Sequence, residues 1–367
     1  MVRPLTPPIV ASATFAYDDV PELEQGLRGE LPFYGRWGNP TVEAAEARLA
    51  ELTGAEAALC FASGMAAIST SLLAALEGRP RLLIQRQVYG GTHGLAAAML
   101  PTLGIAVEWF DLERGVAGIT GEPGVVYLES PTNPTCRVVD LPAIAAAAHA
   151  RGALVLVDNT FATPVNHRPL EHGADLELHS ATKYLGGHHD LIAGAVAGRE
   201  ELIARVARWR KLLGGILDPF QAFLLHRGLR TLELRVARQN ETALSLARWL
   251  ESHPRVKRVH HAGLASHPDH GLAARLMTGT GGMLGLEVQG GDEAAVRVVE
   301  ALEVFALAAS LGGTESLACM PSNTSHASLT AEERARAGVH PGFVRLSIGL
   351  EPFEALRDDL ARALERA

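Results

Sequence analysis

Five short apolar runs decide most of what this chain can fold into. RLLIQ (81–85), IAVEWF (105–110), GVVYLE (124–129), ALVLVD (153–158) and LELHS (176–180) are each five or six residues long. That is the length of a strand and too short for a helix. Between them lie helical patterns. VEAAEARLAELTG (42–54) has helical spacing and a terminal glycine, and LPAIAAAAHARG (141–152) has Asp140 placed to cap it, Pro142 in its first turn and Gly152 at its end. Strands that are apolar along their length and alternate with helices imply a mostly parallel sheet covered on both faces. Past about residue 230 the rhythm changes. LRTLELRVARQNETALSLARWLESH (229–253) reads as one long amphipathic helix. GGMLGLEVQGG (281–291), a helix over 292–304, FVRLSIGL (343–350) and a closing helix follow it. The expected class is α/β, with a smaller α+β domain at the C-terminus. The division expected is an N-terminal arm over 1–40, rich in Pro, Gly and aromatics, then a ligand-binding α/β domain over 41–230 and a C-terminal domain over 231–367.

In an open α/β sheet, ligands sit at the carboxyl ends of the strands. There the chain places Asp158 after ALVLV, Asn133 in SPTNPT after GVVYLE, Lys183 in ATK after LELHS, and Tyr89 in RQVYGGTH after RLLIQ. Polar loops are ordinary, and that accounts for one such residue more easily than for four. Lys183 has its own interest, because only three of the 33 basic residues are lysines. Arginine cannot lose its proton in a protein, whereas a desolvated lysine can become a neutral nucleophile. A lysine on a solvated loop and a reactive amine both remain open from HSATKYLGG (179–187) alone. A fifth piece is CFASGMAAISTSLL (60–73), where Ser63, Gly64 and Met65 open a helix whose free N–H groups suit a phosphate. A phosphate site, an amine, a carboxylate and an aromatic together suggest pyridoxal phosphate. Asp158 would pair with the pyridinium, Asn133 would reach the ring oxygen and Tyr89 would stack on the ring face.

Other classes fit less well. The net charge of −8, with both signs interspersed, argues against nucleic acid as a partner. The longest apolar stretches, such as AIAAAA (143–148), are far too short to span a bilayer, and the first residues lack the apolar core of a signal peptide. Cys60, Cys136 and Cys319 have no CxxC spacing and read as buried thiols in a reducing cytoplasm. HHD (188–190) and HHAGLASHPDH (260–270) lack regular ligand spacing, so no metal is expected. Tyr17 and Tyr127 read as packing residues.

PPIVASATF, YGRWGNPT, ASGMAA, VYGGT, ESPTNPT, VDNTFATP, SATKYLGGH, SLGGTESL and VRLSIGLE, in that order, resemble the Cys/Met-metabolism family of pyridoxal-phosphate enzymes. The likeness runs from residue 7 to 351. It implies fold type I, as in aspartate aminotransferase, and a cytoplasmic homo-oligomer, usually a tetramer built from dimers that share their active sites, acting on a small amino acid. It implies Lys183 as the Schiff-base lysine, Asp158 as the pyridinium partner, and Tyr89 as the stacking ring and second catalytic group. Ser63, Gly64, Met65, Ser180 and Thr182 would form the phosphate cup. Tyr34 and Arg36 would reach the phosphate of the neighbouring subunit. Arg345 would grip the substrate α-carboxylate, helped by Ser310 and Asn133.

The activity expected from the resemblance is trans-sulfuration by γ-elimination, cystathionine γ-lyase-like. The alternatives are γ-replacement on an activated homoserine as in cystathionine γ-synthase, then β-lyase, methionine γ-lyase, or a non-catalytic member. Several positions depart from the family's commonest pattern. Gly35 lies between Tyr34 and Arg36 where a hydroxyl is usual. Gly91 stands where methionine γ-lyases carry a cysteine, and Ala309 stands where many cystathionine γ-enzymes have a glutamate.

Overall fold

The computed structural model describes residues 4–324, 327 and 330–367. The larger sheet has seven strands: β1 (Ala57–Phe61), β2 (Arg81–Gln85), β3 (Ala106–Phe110), β4 (Val125–Glu129), β5 (Leu154–Asp158), β6 (Leu176–His179) and β7 (Gly194–Gly198). They lie in the order β1-β7-β6-β5-β4-β2-β3. All run parallel except β7, which is antiparallel to both β6 and β1. Every residue of β4 is buried, as expected for a strand with helices on both faces. On one face Ile84, Tyr127, Leu156 and Leu178 share a core with Ile68 and Leu72 of the helix Gly64–Leu76. On the other, Val126, Leu128, Val155 and Val157 pack on the helix Leu141–His149. That helix starts where Asp140 caps it, its carboxylate accepting from the Ala143 N–H.

All five runs read as strands are strands, but the sequence reading misses two. β1 was absorbed into the approach to the helix at Gly64. β7, GAVAG, has no bulky β-branched repeat; it lies between β1 and β6, and its Gly194 lets the Ser63 backbone approach so closely that a β-carbon there would stand 2.0 Å from the Ser63 carbonyl oxygen.

The second sheet comprises β8 (Val256–His260), β9 (Met283–Val288), β10 (Ala306–Leu307), β11 (Leu317–Cys319) and β12 (Phe343–Ser347), in the order β10-β11-β12-β9-β8. The helices Gly291–Glu300 and Phe353–Leu364 cover it. The long helix expected from 229 begins later, at Leu232, and runs to Glu251. A separate helix, Pro219–Leu229, precedes it, its start capped by Asp218. The later helix joins the two sheets. Leu232 and Val236 pack in a core beside the first, and Ala243, Leu246 and Leu250 in the core of the second.

The first forty residues are not wholly extended. Asp19 caps a helix, Val20–Arg28, and an antiparallel bridge between Thr14 and Tyr34 joins the segments on either side of it. Val20, Leu23, Leu27 and Leu31 of this stretch point outward and are exposed.

Candidate active site

The carboxyl ends of β2, β4, β5 and β6 open on one cavity of about 520 Å³. Its walls include Ser63, Gly64, Met65, Tyr89, Asn133, Asp158, Ser180, Thr182, Lys183, Ser310 and Arg345. All of these were expected in the site. Tyr34 and Arg36 are elsewhere in this chain. The Arg36 guanidinium donates to the Lys211 carbonyl at 2.6 Å and lies 5.4 Å above the Tyr34 ring. The cofactor-binding role expected of that pair is therefore not met within the subunit's own cavity.

Asp158 ends β5, where its Oδ1 accepts from the Thr160 hydroxyl (2.6 Å) and the Thr160 N–H (3.0 Å). Burial pushes the carboxyl upward, while the Thr160 donors and the nearby His179 pull it back. The Thr160 hydroxyl also accepts the Ser180 N–H at 2.8 Å, which ties the turn after β6 to the end of β5. Lys183 lies in that turn. Its Nζ donates to the Ser310 hydroxyl at 2.8 Å, and burial, then the charge of Arg345, lower its pKa from 10.5 to about 8. Thr182 is stitched to Ala193 through three contacts. Its N–H and hydroxyl both donate to the Ala193 carbonyl, and the hydroxyl accepts the Ala193 N–H.

Ser63 caps the helix Gly64–Leu76 by accepting the Ala66 N–H at 3.1 Å. The first N–H groups of the helix are left facing the cavity. A β-carbon on Gly64 would stand 2.9 Å from that of Ser180, so only glycine lets the two backbones meet here. Gly91 is tight for another reason. A β-carbon there would lie 2.5 Å from the Tyr89 ring and 2.9 Å from the Met65 sulfur. Tyr89 is where it is partly because Gly91 has no side chain.

Across the cavity, Arg345 of β12 is 5% exposed. One nitrogen of its fork donates to Asn133 Oδ1 (3.2 Å) and the other to the Ser310 carbonyl (2.8 Å). Its Nε is buried without a partner among the described residues, and no carboxylate pairs with it there. A buried guanidinium facing a cavity without a counter-ion is a receptor for an anion. Ser310 serves both cations, Lys183 through its hydroxyl and Arg345 through its carbonyl, and does so at φ +92°. A non-glycine residue in that region carries backbone strain, which is commonest at functional sites.

The sequence reading overlooked Glu129, Phe161, Ile192 and Thr324, which also line the cavity. Glu129 carried a signal, since it ends β4 as Asp158 ends β5. The others come from loops with no local pattern. The histidines of 260–270 make ordinary bonds. His260 pairs with Glu287 at 2.9 Å, and His267 donates to the Thr135 carbonyl. Cys60, Cys136 and Cys319 are free and buried. Among the described residues no helix is long and apolar enough to cross a membrane.

Helix N–H groups and the Ser180 hydroxyl at one end, a carboxylate at the other and an amine between them fit a phosphorylated pyridine aldehyde. The sequence profile of the Cys/Met metabolism PLP-dependent enzyme family matches residues 2–365. The chain belongs to that family. Pyridoxal phosphate is accordingly its cofactor, and its class is the carbon–sulfur lyases and transferases of sulfur amino acid metabolism. It is 42% identical over 368 residues to the L-methionine gamma-lyase of Pseudomonas putida, covering 98% of this chain and 92% of that one. It is 40% identical over 98% of its length to the chloroplastic cystathionine gamma-synthase 1 of Arabidopsis thaliana, of which it spans 65%. The cystathionine gamma synthase of Xanthomonas oryzae pv. oryzae, in complex with cystathionine, superposes with a TM-score of 0.93 at 42% identity, covering 99% of this chain and 93% of that one.

Proposed function

We propose that this enzyme cleaves a C–S bond of a sulfur amino acid by γ-elimination, in the manner of a cystathionine γ-lyase. The carrying observation is the pair of cations on Ser310: a buried Arg345 with no carboxylate partner among the described residues, and a Lys183 amine whose pKa is lowered to about 8. An amino acid whose α-carboxylate meets the Arg345 fork has its Cα beside an amine able to take a proton near neutral pH.

In this reading Lys183 holds the aldehyde of the cofactor and Asp158 its ring nitrogen. Tyr89 stacks on the ring. Ser63, Gly64, Met65, Ser180 and Thr182 hold the phosphate, and Asn133 and Ser310 support Arg345 at the carboxylate. Bound pyridoxal phosphate supplies an electron sink for the carbon that loses its proton. Lys183 Nζ, freed when the substrate's amino group takes its place on the aldehyde, would take the Cα proton; a β-proton would then be lost, and the Tyr89 hydroxyl would give its proton to the departing sulfur. Ile192, Ala309 and Thr324 also line the cavity. Tyr34 and Arg36 complete the site of a neighbouring subunit, which makes the enzyme a homo-oligomer, a tetramer built from two dimers, in the cytoplasm. The arm (1–40), the cofactor domain (41–230) and the C-terminal domain (231–367) divide these tasks.

A second reading is γ-replacement, joining an activated homoserine to cysteine. It is favoured by the likeness to cystathionine gamma synthase over 99% of this chain. Product analysis separates the two. Incubation with L-cystathionine should yield cysteine, 2-oxobutanoate and ammonia. Homocysteine with pyruvate would overturn γ-elimination in favour of β-elimination. No cleavage, together with cystathionine formation from O-succinylhomoserine and cysteine, would establish the synthase.

A further inference from the structure

Glu129 and Asp158 stand directly opposite one another on β4 and β5, and both are buried. Like charges so placed repel, and burial makes the repulsion worse. A pair of this kind needs a use to offset its cost. Asp158 has one in the reading above. Glu129 has none assigned, and its bonds point to a different task. One carboxylate oxygen accepts the Tyr89 N–H at 2.7 Å and the other accepts the Asn133 N–H at 3.0 Å. Its own N–H donates to the buried Gln85 side chain at the end of β2, whose amide donates in turn to the Gln87 carbonyl. Tyr89 is half exposed and follows β2 by four residues, so its ring cannot be held by packing alone. Asn133 in turn meets Arg345, Arg345 meets Ser310, and Ser310 meets Lys183.

We propose that Glu129 is a positioning residue, a two-ended clamp that holds the backbone of Tyr89 to that of Asn133. Through it the ring-stacking tyrosine is set in register with the carboxylate-gripping arginine. The inference rests on the reading of Tyr89 and Arg345 given above. Burial, then the charge of Asp158, push Glu129 up to about 8, while the two N–H donors pull it down. Near neutral pH the pair therefore holds a proton, and both clamp bonds survive, because each oxygen keeps a lone pair for its N–H.

Glutamine at 129 is the sharpest probe. It has the same shape but only one acceptor oxygen, so its NH₂ must face one of the two N–H donors, and one end of the clamp opens. Aspartate at 129 keeps the carboxyl group and falls one methylene short. The holoenzyme and the variants Glu129→Gln and Glu129→Asp are compared for three properties: affinity for pyridoxal phosphate by equilibrium dialysis, visible-band ellipticity per bound cofactor, and kcat and KM separately. Loss of one buried hydrogen bond predicts a fall of about tenfold in cofactor affinity or a comparable rise in KM, according to which end opens. Reduced ellipticity per cofactor is expected in both variants. If Glu129 only fills the core, the variants melt earlier but keep the wild-type ellipticity, affinity and KM, and the proposal is wrong. A Glu129→Asp variant that behaves as wild type would show that the reach of the side chain does not matter and would also overturn the clamp. Should Glu129→Gln fail to fold, Glu129→Asp carries the test. Amide hydrogen exchange on cofactor-free protein keeps the clamp separate from the function assigned to the site. In Glu129→Gln one of the Tyr89 and Asn133 amides, and in Glu129→Asp at least one, should exchange about tenfold faster, whatever substrate the enzyme takes, and unchanged exchange of both refutes the clamp directly.

Discussion

In protein stripped of cofactor, the ε-amine of Lys183 should titrate near pH 8 and not near 10.5. Two causes act in the same direction. Burial removes water from the ammonium, and Arg345, held to the same serine, repels it. Both disfavour the charged form, so the neutral fraction grows as pH rises through about 8 and levels off beyond it. At pH 8 about half of the amine is neutral, against roughly 0.3% for an ordinary lysine, a gain on the order of 100-fold in nucleophile. Carbamylation by cyanate reads this directly. The extent at Lys183 is followed by peptide mass spectrometry across a pH series, with the exposed Lys257 as internal reference for the reagent. Arg345→Met keeps the volume and removes the second cause. Its midpoint should rise only part of the way, because burial is the larger of the two. A wild-type midpoint at about 10 or above would refute the reasoning, and a variant that recovers the whole shift would show that charge and not burial sets it.

Lys183→Arg should fold and lose both turnover and the cofactor absorbance band, and full activity in that variant would end the assignment of the lysine. Arg36→Ala should weaken cofactor retention by about tenfold, the loss of one charge-assisted bond across a subunit boundary. Retention equal to wild type in dialysis would place the arm elsewhere. Gly64→Ala sets a β-carbon 2.9 Å from that of Ser180 and should lower cofactor affinity more than it lowers the melting temperature. Titration of cofactor-free protein decides this, and unchanged affinity would mean that the phosphate sits away from that turn.

Much of this was legible in the chain because the site lies where parallel strands end. A strand end is visible in sequence, and Asp158, Asn133, Lys183 and Tyr89 each follow one within a few residues. Arg345 was different. It lies inside a strand of the second sheet, far along the chain, and only the family pattern pointed to it. Glu129 was passed over because it is the last residue of an apolar run, where a single carboxylate looks like the start of a loop. Its importance depends on register with β5, which one sequence does not reveal. β7 escaped because Gly194, Ala195 and Ala197 look like a linker when read alone, and become a central strand only through the neighbours that need small residues. The placement of Arg36 on the carbonyl of Lys211 depends on a contact 175 residues away.

The stitching of Thr182 to Ala193 bears on how this protein can be altered. The connection from β6 to β7 is fastened at both feet, and Lys183 stands just inside the first. Gly187 is also fixed, since Arg235 fills the space beside it. His188, His189 and Asp190 at the crest are exposed. Extra residues placed at that crest would lengthen a surface bridge and leave the amine where it is, whereas a single insertion between Ser180 and Lys183 would swing it out of reach. The crest is thus a place for a reporter label that senses the site without entering it.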